Sequence, residues 1–257
     1  MKRNKRAKTR DARRGIYILP NLFTSANLFC GFYAIIAAIQ GGFVKSAIAI
    51  MIAAVFDNLD GKVARATHTE SKFGVEYDSL ADAISFGVAP GIVAYLWALK
   101  PFGRLGWLAA FLFVACGVLR LARFNTQKDT VSSEYFVGLP IPAAACMIAT
   151  MILFINRVGV LSADRNITIL ILIYVLSFLM VSTLKYNSFK KSAIFRKKNF
   201  NALVTVVLVF SVIAYEPSVT FFFIGLTYIA SGPVAALFGW RKTATKPEPE
   251  KPSEGHL

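Results

Sequence analysis

The chain has 257 residues, 56% hydrophobic and only 17% charged, with a mean hydropathy of +0.55. That is more apolar material than one soluble core of this length uses, so the composition excludes an ordinary soluble domain and points to an integral membrane protein. The net charge of +15 raises nucleic acid as a partner, but no stacking aromatics interleave the basic runs; Cys30, Cys116 and Cys146 sit singly in apolar runs, and His68 and His256 stand far apart, so neither a disulfide framework nor a histidine or cysteine metal site is implied.

In chain order, residues 1–17 form a basic juxtamembrane segment, with Lys2, Arg3, Lys5, Arg6, Lys8, Arg10, Arg13 and Arg14 against the single acid Asp11. Apolar stretches follow at approximately 18 to 40, 43 to 59, 79 to 99, 105 to 122, 138 to 156, 166 to 184, 200 to 215 and 219 to 239. Each has roughly the 20 residues a membrane helix needs, so the expected fold is all-α with about eight transmembrane helices. The first run is too long for a cleaved signal peptide and reads as a retained span. The second is short unless its helix continues through Ala64-Arg65-Ala66, which are good helix formers. Pro140 and Pro142 shape the start of the fifth, and the Phe-rich eighth reads as lipid-facing packing. From Thr243 the tail carries Lys246-Pro247-Glu248-Pro249-Glu250-Lys251-Pro252, and residues 241–257 read as disordered.

Charge asymmetry gives the orientation. With the N-terminus in the cytoplasm and eight alternating spans, 24 of the 29 Lys and Arg fall on the cytoplasmic side and 5 on the other. Both termini are then cytoplasmic, as the positive-inside rule requires. The basic segments also suit anionic lipid headgroups, at about 1 kcal/mol per cation.

Four carboxylates cluster where hydrocarbon should begin: Asp57, Asp60, Asp78 and Asp82. Charged groups there need partners. Asp57 and Asp60 are i and i+3, and Asp78 and Asp82 are i and i+4, so each pair projects from one face of its helix. Two such helix ends facing each other would offer an oxygen-only ligand set suited to Mg²⁺ or Mn²⁺, with charge enough for two ions. Gly61 and Ala64 leave room for a ligand beside the backbone, and Arg65 is a natural clamp for phosphate oxygens. The set reads as a pyrophosphate or nucleotide site at the cytoplasmic face. The alternative class is an ion-coupled transporter, which would place its carboxylates near the midplane and has no need of glycines and an arginine at fixed gaps.

Asp57-x-x-Asp60-Gly61-x-x-Ala64-Arg65, eight residues, then Gly74-x-x-x-Asp78-x-x-x-Asp82 resembles the signature of the CDP-alcohol phosphatidyltransferase family, matching at all eight fixed positions. The resemblance implies a six-helix catalytic core with two further helices, so that residues 18–190 would be the catalytic unit and 191–240 an additional helix pair. It implies transfer of a phosphatidyl group from a CDP-linked lipid, CDP-diacylglycerol, to an alcohol with release of CMP. By the same resemblance Asp57, Asp60 and Asp78 bind metal, while Asp82 contacts a second metal and acts as general base. The nucleotide would lie along Gly61, Ala64, Arg65 and Gly74. A homodimer is a further implication, and Gly31 leaves room for close helix contact.

Four other segments resemble the serine-using branch of that family: Leu19 to Gly31, Leu119-Arg120-Leu121-Ala122-Arg123-Phe124-Asn125, Phe136 to Pro142, and Ser182-Thr183-Leu184-Lys185-Tyr186. L-serine is therefore the expected acceptor, with glycerol 3-phosphate or inositol phosphate as alternatives. Serine's carboxylate calls for a cation; Arg120, Arg123 and Lys185 are candidates, and each is equally a topogenic charge. Thr24 and Asn27, one turn apart on the first span, either bond the cytidine or ribose or bond a neighbouring helix. His68, beside the motif, reads as a solvated surface side chain.

Overall fold

Away from water a backbone must satisfy its own N–H and C=O groups, and long apolar runs do so as helices. The structure, a computed structural model, describes residues 3–67, 71–127, 135–159, 166–187, 211 and 214–237. The helices are α1 (Arg3–Ile39), α2 (Phe43–Thr67), α3 (Lys72–Asp82), α4 (Ala89–Ala94), α5 (Arg104–Gln127), α6 (Ile141–Val158), α7 (Ile167–Val181) and α8 (Pro217–Leu237). Five of the described helical stretches are long and apolar enough to cross a membrane: Pro20–Ile39, Lys72–Phe102, Arg104–Thr126, Ile141–Val158 and Pro217–Ala236. The expected span at 200 to 215 lies almost entirely outside the described residues, as do His68 and the tail from residue 241.

α1 runs unbroken from the basic segment into the first span, and α1 and α2 form a tight hairpin. Gly41, at φ +77°, turns the chain, and the Gly42 N–H reaches back to the Ala37 carbonyl at 2.8 Å. The positive φ is what selects glycine there. α2 continues past its apolar part to Thr67, carrying Asp57 to Arg65 on a regular helix. Ser71 then caps α3, accepting from the Gly74 N–H at 3.0 Å. α3 opens a single helical path to Phe102, interrupted by π-helical turns at Ala83–Val88 and Tyr95–Leu99. The first π segment starts immediately after Asp82 and brings Ser85 against α1, where its hydroxyl bonds the Asn27 carbonyl at 3.0 Å. Gly31 faces it so closely that a Cβ would fall 2.7 Å from the Ser85 Cα. The small residue at Gly31 thus serves contact within the chain.

One feature departs from an all-α fold. Tyr135–Val137 (β1) and Lys185–Asn187 (β2) pair antiparallel, with Phe136 opposite Tyr186. Gly138, at φ +80°, then donates its N–H to the Leu184 carbonyl at 2.8 Å. The ribbon joins the entry to α6 with the exit from α7, which a helix-only reading of those loops misses. Pro140 and Pro142 do start α6.

The core is built from α1, α2, the α3–α4 path, α5, α6 and α7, rich in alanine and branched aliphatics such as Ile50, Phe86, Phe113, Ile148 and Ile173. α8 packs antiparallel along α6. Arg157 and Glu216 form a two-pronged ion pair at one end, with contacts of 2.6 and 3.2 Å. Phe154 stacks on Phe222 at 4.5 Å in the middle. At the other end Tyr186 donates to the Ile229 carbonyl at 3.3 Å.

Candidate active site

α2 carries Asp57 and Asp60 in its last turns and α3 carries Asp78 and Asp82 in its second half, and the two helices bring the pairs together. Carboxylate oxygens of Asp57, Asp60 and Asp78 lie within 4.8 Å of one another. Asp60 is buried, while Asp57 and Asp78 are partly so. Asp82 stands to the side of this trio. It reaches the Asp57 carboxyl and accepts a hydrogen bond from Asn27 Nδ2 at 3.0 Å.

Three carboxylates at this separation repel one another in a poorly hydrated setting. The neighbouring groups offset only part of that. Thr24 Oγ1 is 3.1 Å from Asp60 and 3.2 Å from the Pro20 carbonyl, so its single proton has two acceptors to choose between. The Gly61 N–H also faces Asp60. Hard oxygen donors converging from three residues fit a divalent cation such as Mg²⁺ or Mn²⁺, and no histidine or thiol competes in the set.

Thr24 and Asn27 therefore do what the neighbouring-helix alternative describes, holding the aspartates of α2 and α3 from a buried position on α1. Asn27 Oδ1 is buried, with no hydrogen-bond partner among the described residues. Gly74 has a packing reason of its own: a Cβ would sit 3.1 Å from Ser71 Oγ and 3.3 Å from Asn21 Oδ1. Gly61 is open, its nearest neighbour being the Arg65 guanidinium, which folds back over it on exposed surface. Ala64 lies half-buried between them.

On the far side of the aspartates opens a cavity of about 680 Å³. Asp57, Asp78 and Asp82 form one wall, Arg120 from α5 and Pro140 to Ala143 from α6 another, and Phe221, Ile224, Gly225 and Tyr228 from α8 a third. Arg120 is held in this wall with its Nε buried and without a partner among the described residues, its guanidinium 6.0 Å from the Phe124 ring centroid. Asp82 and Tyr228 are both within electrostatic reach of it.

Among the three cationic candidates the structure distinguishes sharply. Arg120 lines the cavity; Arg123, three residues on, turns away and lies 3.4 Å from the Val181 carbonyl, capping the end of α7. Lys185 pairs with Val137 through its backbone, and its side chain is outside the described part. The eighth helix requires a correction: α8 does not simply face lipid, since four of its residues wall the cavity. Also missed were Asn125 and Ser79, joined at 2.9 Å on the cavity wall. A tyrosine inside a phenylalanine-rich helix was the available signal for Tyr228, because a buried hydroxyl requires a polar neighbour.

A family model described as CDP-alcohol phosphatidyltransferase matches residues 17–178. The chain is 39% identical over 224 residues to a protein of Helicobacter pylori named CDP-diacylglycerol–serine O-phosphatidyltransferase, covering 87% of this chain and 92% of that one. A Bacillus subtilis protein of the same name is 35% identical over 175 residues, covering 68% and 93%. An archaetidylserine synthase of Methanothermobacter thermautotrophicus is 39% identical over 170 residues, covering 65% and 69%.

Proposed function

The chain belongs to the CDP-alcohol phosphatidyltransferase family, and from that premise we propose that it is a membrane enzyme transferring the phosphatidyl group of CDP-diacylglycerol to L-serine, giving phosphatidylserine and CMP. Relatives at 35–39% identity bear the names of serine-transferring enzymes. The observation that carries the reading to particular residues is the convergence of Asp57, Asp60 and Asp78 beside Asp82, at the wall of a cavity that also holds Arg120.

Asp57, Asp60 and Asp78 would hold the divalent metal, Mg²⁺ or Mn²⁺, with Asp82 sharing a second ion. A metal held there would supply neutralisation of the pyrophosphate and of the charge left on CMP. The protein's own groups do the rest. Thr24 and Asn27 fix the carboxylates from α1. Gly61 and Ala64 give the nucleotide close access to backbone, Gly74 makes room for Ser71 and Asn21 beneath it, and Arg65 guards the exposed side for phosphate oxygens. Overall a bond forms between the serine hydroxyl oxygen and the phosphatidyl phosphorus, the bond from that phosphorus to the CMP oxygen breaks, and the hydroxyl proton passes to Asp82. Arg120 supplies the cation for serine's carboxylate. Arg123 is better spent on the α7 terminus. The apolar remainder of the cavity wall, such as Ile141, Met147, Phe221 and Ile224, suits the glycerol backbone and the first acyl carbons.

The proposal includes eight spans, both termini cytoplasmic and an active site open to the cytoplasm of the cell membrane, supported by the 24-to-5 charge division. A homodimer is part of the same reading, checked by light scattering of the purified protein. The reaction is tested by CMP release from CDP-diacylglycerol in detergent, with serine, glycerol 3-phosphate, inositol phosphate or no acceptor, with and without Mn²⁺. Metal-dependent release only with serine is expected. Release only with a phosphorylated alcohol moves the chain to a sister branch, and ion flux in liposomes without CMP release contradicts the enzyme reading.

A further inference from the structure

α8 begins beyond residue 178, where the match to the family model ends, yet it supplies a whole wall of the catalytic cavity. Its placement there is specified in detail. Tyr186, on the ribbon, is fully buried. Its ring occupies the space beside Gly232 so fully that a Cβ on that glycine would fall 2.7 Å from both Cε1 and Oη. Its hydroxyl donates to the Ile229 carbonyl, and its ring meets that of Tyr228 at 5.6 Å. Tyr228 lies one residue before Ile229 and four before Gly232, so a tyrosine clamp on that stretch of α8 fixes the direction in which Tyr228 projects. That direction is the cavity, on the side of Arg120.

A phenol and a guanidinium sharing one partly dry wall make two hydrogen-bond donors for one anionic group. Among the described residues the buried Arg120 Nε has no partner, and a buried polar group left unpaired is costly. A planar carboxylate fits such a pair better than a neutral alcohol does. We propose that α8 completes the acceptor end of the active site: the Tyr228 hydroxyl and the Arg120 guanidinium form a two-donor cradle for the carboxylate of an amino-acid acceptor, and Tyr186 is the positioning residue that aims Tyr228 into it. This rests on the transfer to serine proposed above. It makes the ribbon and α8 a specificity device.

The test uses full-length protein in detergent and measures CMP release at varied serine with saturating CDP-diacylglycerol, then the converse. Serinol, which keeps serine's amine and hydroxyl but lacks the carboxylate, is compared as a substrate or as an inhibitor competing with serine. Tyr228→Phe is expected to raise the serine KM roughly 10-fold, as for a lost hydrogen bond to a charged group. The CDP-diacylglycerol KM and the affinity for serinol should stay at wild-type values. Tyr186→Phe, which keeps the ring but loses the bond to Ile229, should raise the serine KM by a smaller factor, and Gly232→Ala by a larger one. An unchanged serine KM in Tyr228→Phe overturns the inference. So does an equal loss for serine and serinol, or a change confined to the CDP-diacylglycerol KM. Serine KM retained in Tyr186→Phe and Gly232→Ala, with only kcat or melting temperature altered, removes the positioning role. A wild-type protein that releases no CMP with serine defeats the proposed reaction itself, a different failure from a wild-type enzyme whose Tyr228→Phe variant is normal.

Discussion

The two sides of the aspartate cluster are built on opposite principles. Towards α1, the contacts are short, polar and specified atom by atom: Thr24 to Asp60, Asn27 to Asp82, Ser85 to the Asn27 carbonyl, with Gly31 and Gly74 giving the closest approaches. Towards α5, α6 and α8 there is a cavity of about 680 Å³, mostly apolar, on whose wall Arg120, its Nε buried, is the one cation among the described residues. The first side holds charges still. The second leaves room for something to enter. In the proposed reaction the metal and nucleotide belong to the first, and the acceptor together with the glycerol end of the lipid to the second, because fixed charge is what a pyrophosphate needs, while apolar space suits the lipid and a cation on its wall suits a small zwitterion.

The largest effects should come from the carboxylates the two sides share. Replacing Asp57, Asp60 or Asp78 by Ala should lower kcat/KM on the order of 10³-fold, the scale of losing several kcal/mol of metal stabilisation, and excess Mn²⁺ should restore little. Chelation of the wild-type enzyme should give the same loss reversibly. Asp82→Asn should leave CDP-diacylglycerol binding nearly intact while cutting kcat by about 10² to 10⁴-fold, the usual contribution of a general base. Full turnover in that variant would remove Asp82 from the role. Next in size is Asn27→Ala, which frees Asp82 without touching the metal trio; support of this kind is worth about 10 to 100-fold, read here in metal affinity and kcat.

The smallest expected effect lies far from the site. Glu216 is hydrogen-bonded by Arg157, which holds its carboxyl below the usual range. A depressed folded value means the pair stabilises the protein above the ordinary glutamate range and loses that contribution as the pH falls through the lowered value. Arg157 is solvent-exposed and Glu216 partly so, and such a pair is worth little, so Glu216→Gln should leave the melting temperature at neutral pH almost unchanged and slightly flatten its fall in acid. A large shift would mean that this end of α8 does more than its exposure suggests. In contrast, burial pushes the Tyr186 phenol at the other end up to about 12, so it remains a donor to Ile229 across the working pH range.

Much of the first side was legible in the sequence, because its information is local. The i, i+3 and i, i+4 spacings put paired aspartates on helix faces, and the helix formers after Gly61 carried α2 beyond its apolar run. The second side was not. A period of 3.6 residues shows which residues share a face but not which neighbour that face meets, so the phenylalanines of α8 read as lipid-facing. Similarly, Arg120 and Arg123 are equivalent as charges near a helix end; only the packing of α5 against α7 sends one to the cavity and the other to the Val181 carbonyl. The ribbon escaped because Phe136 and Tyr186 pair across 50 positions of sequence.

The division of labour between the two sides is tested most directly by Arg120→Gln, with KM measured separately for serine and for CDP-diacylglycerol. The serine KM should rise by about 10 to 100-fold, as expected for a lost charged hydrogen bond, while the CDP-diacylglycerol KM stays within about twofold of wild type. A rise in the CDP-diacylglycerol KM with an unchanged serine KM would contradict the account, placing the lipid's phosphates, and not the acceptor, on the cavity side of the aspartates.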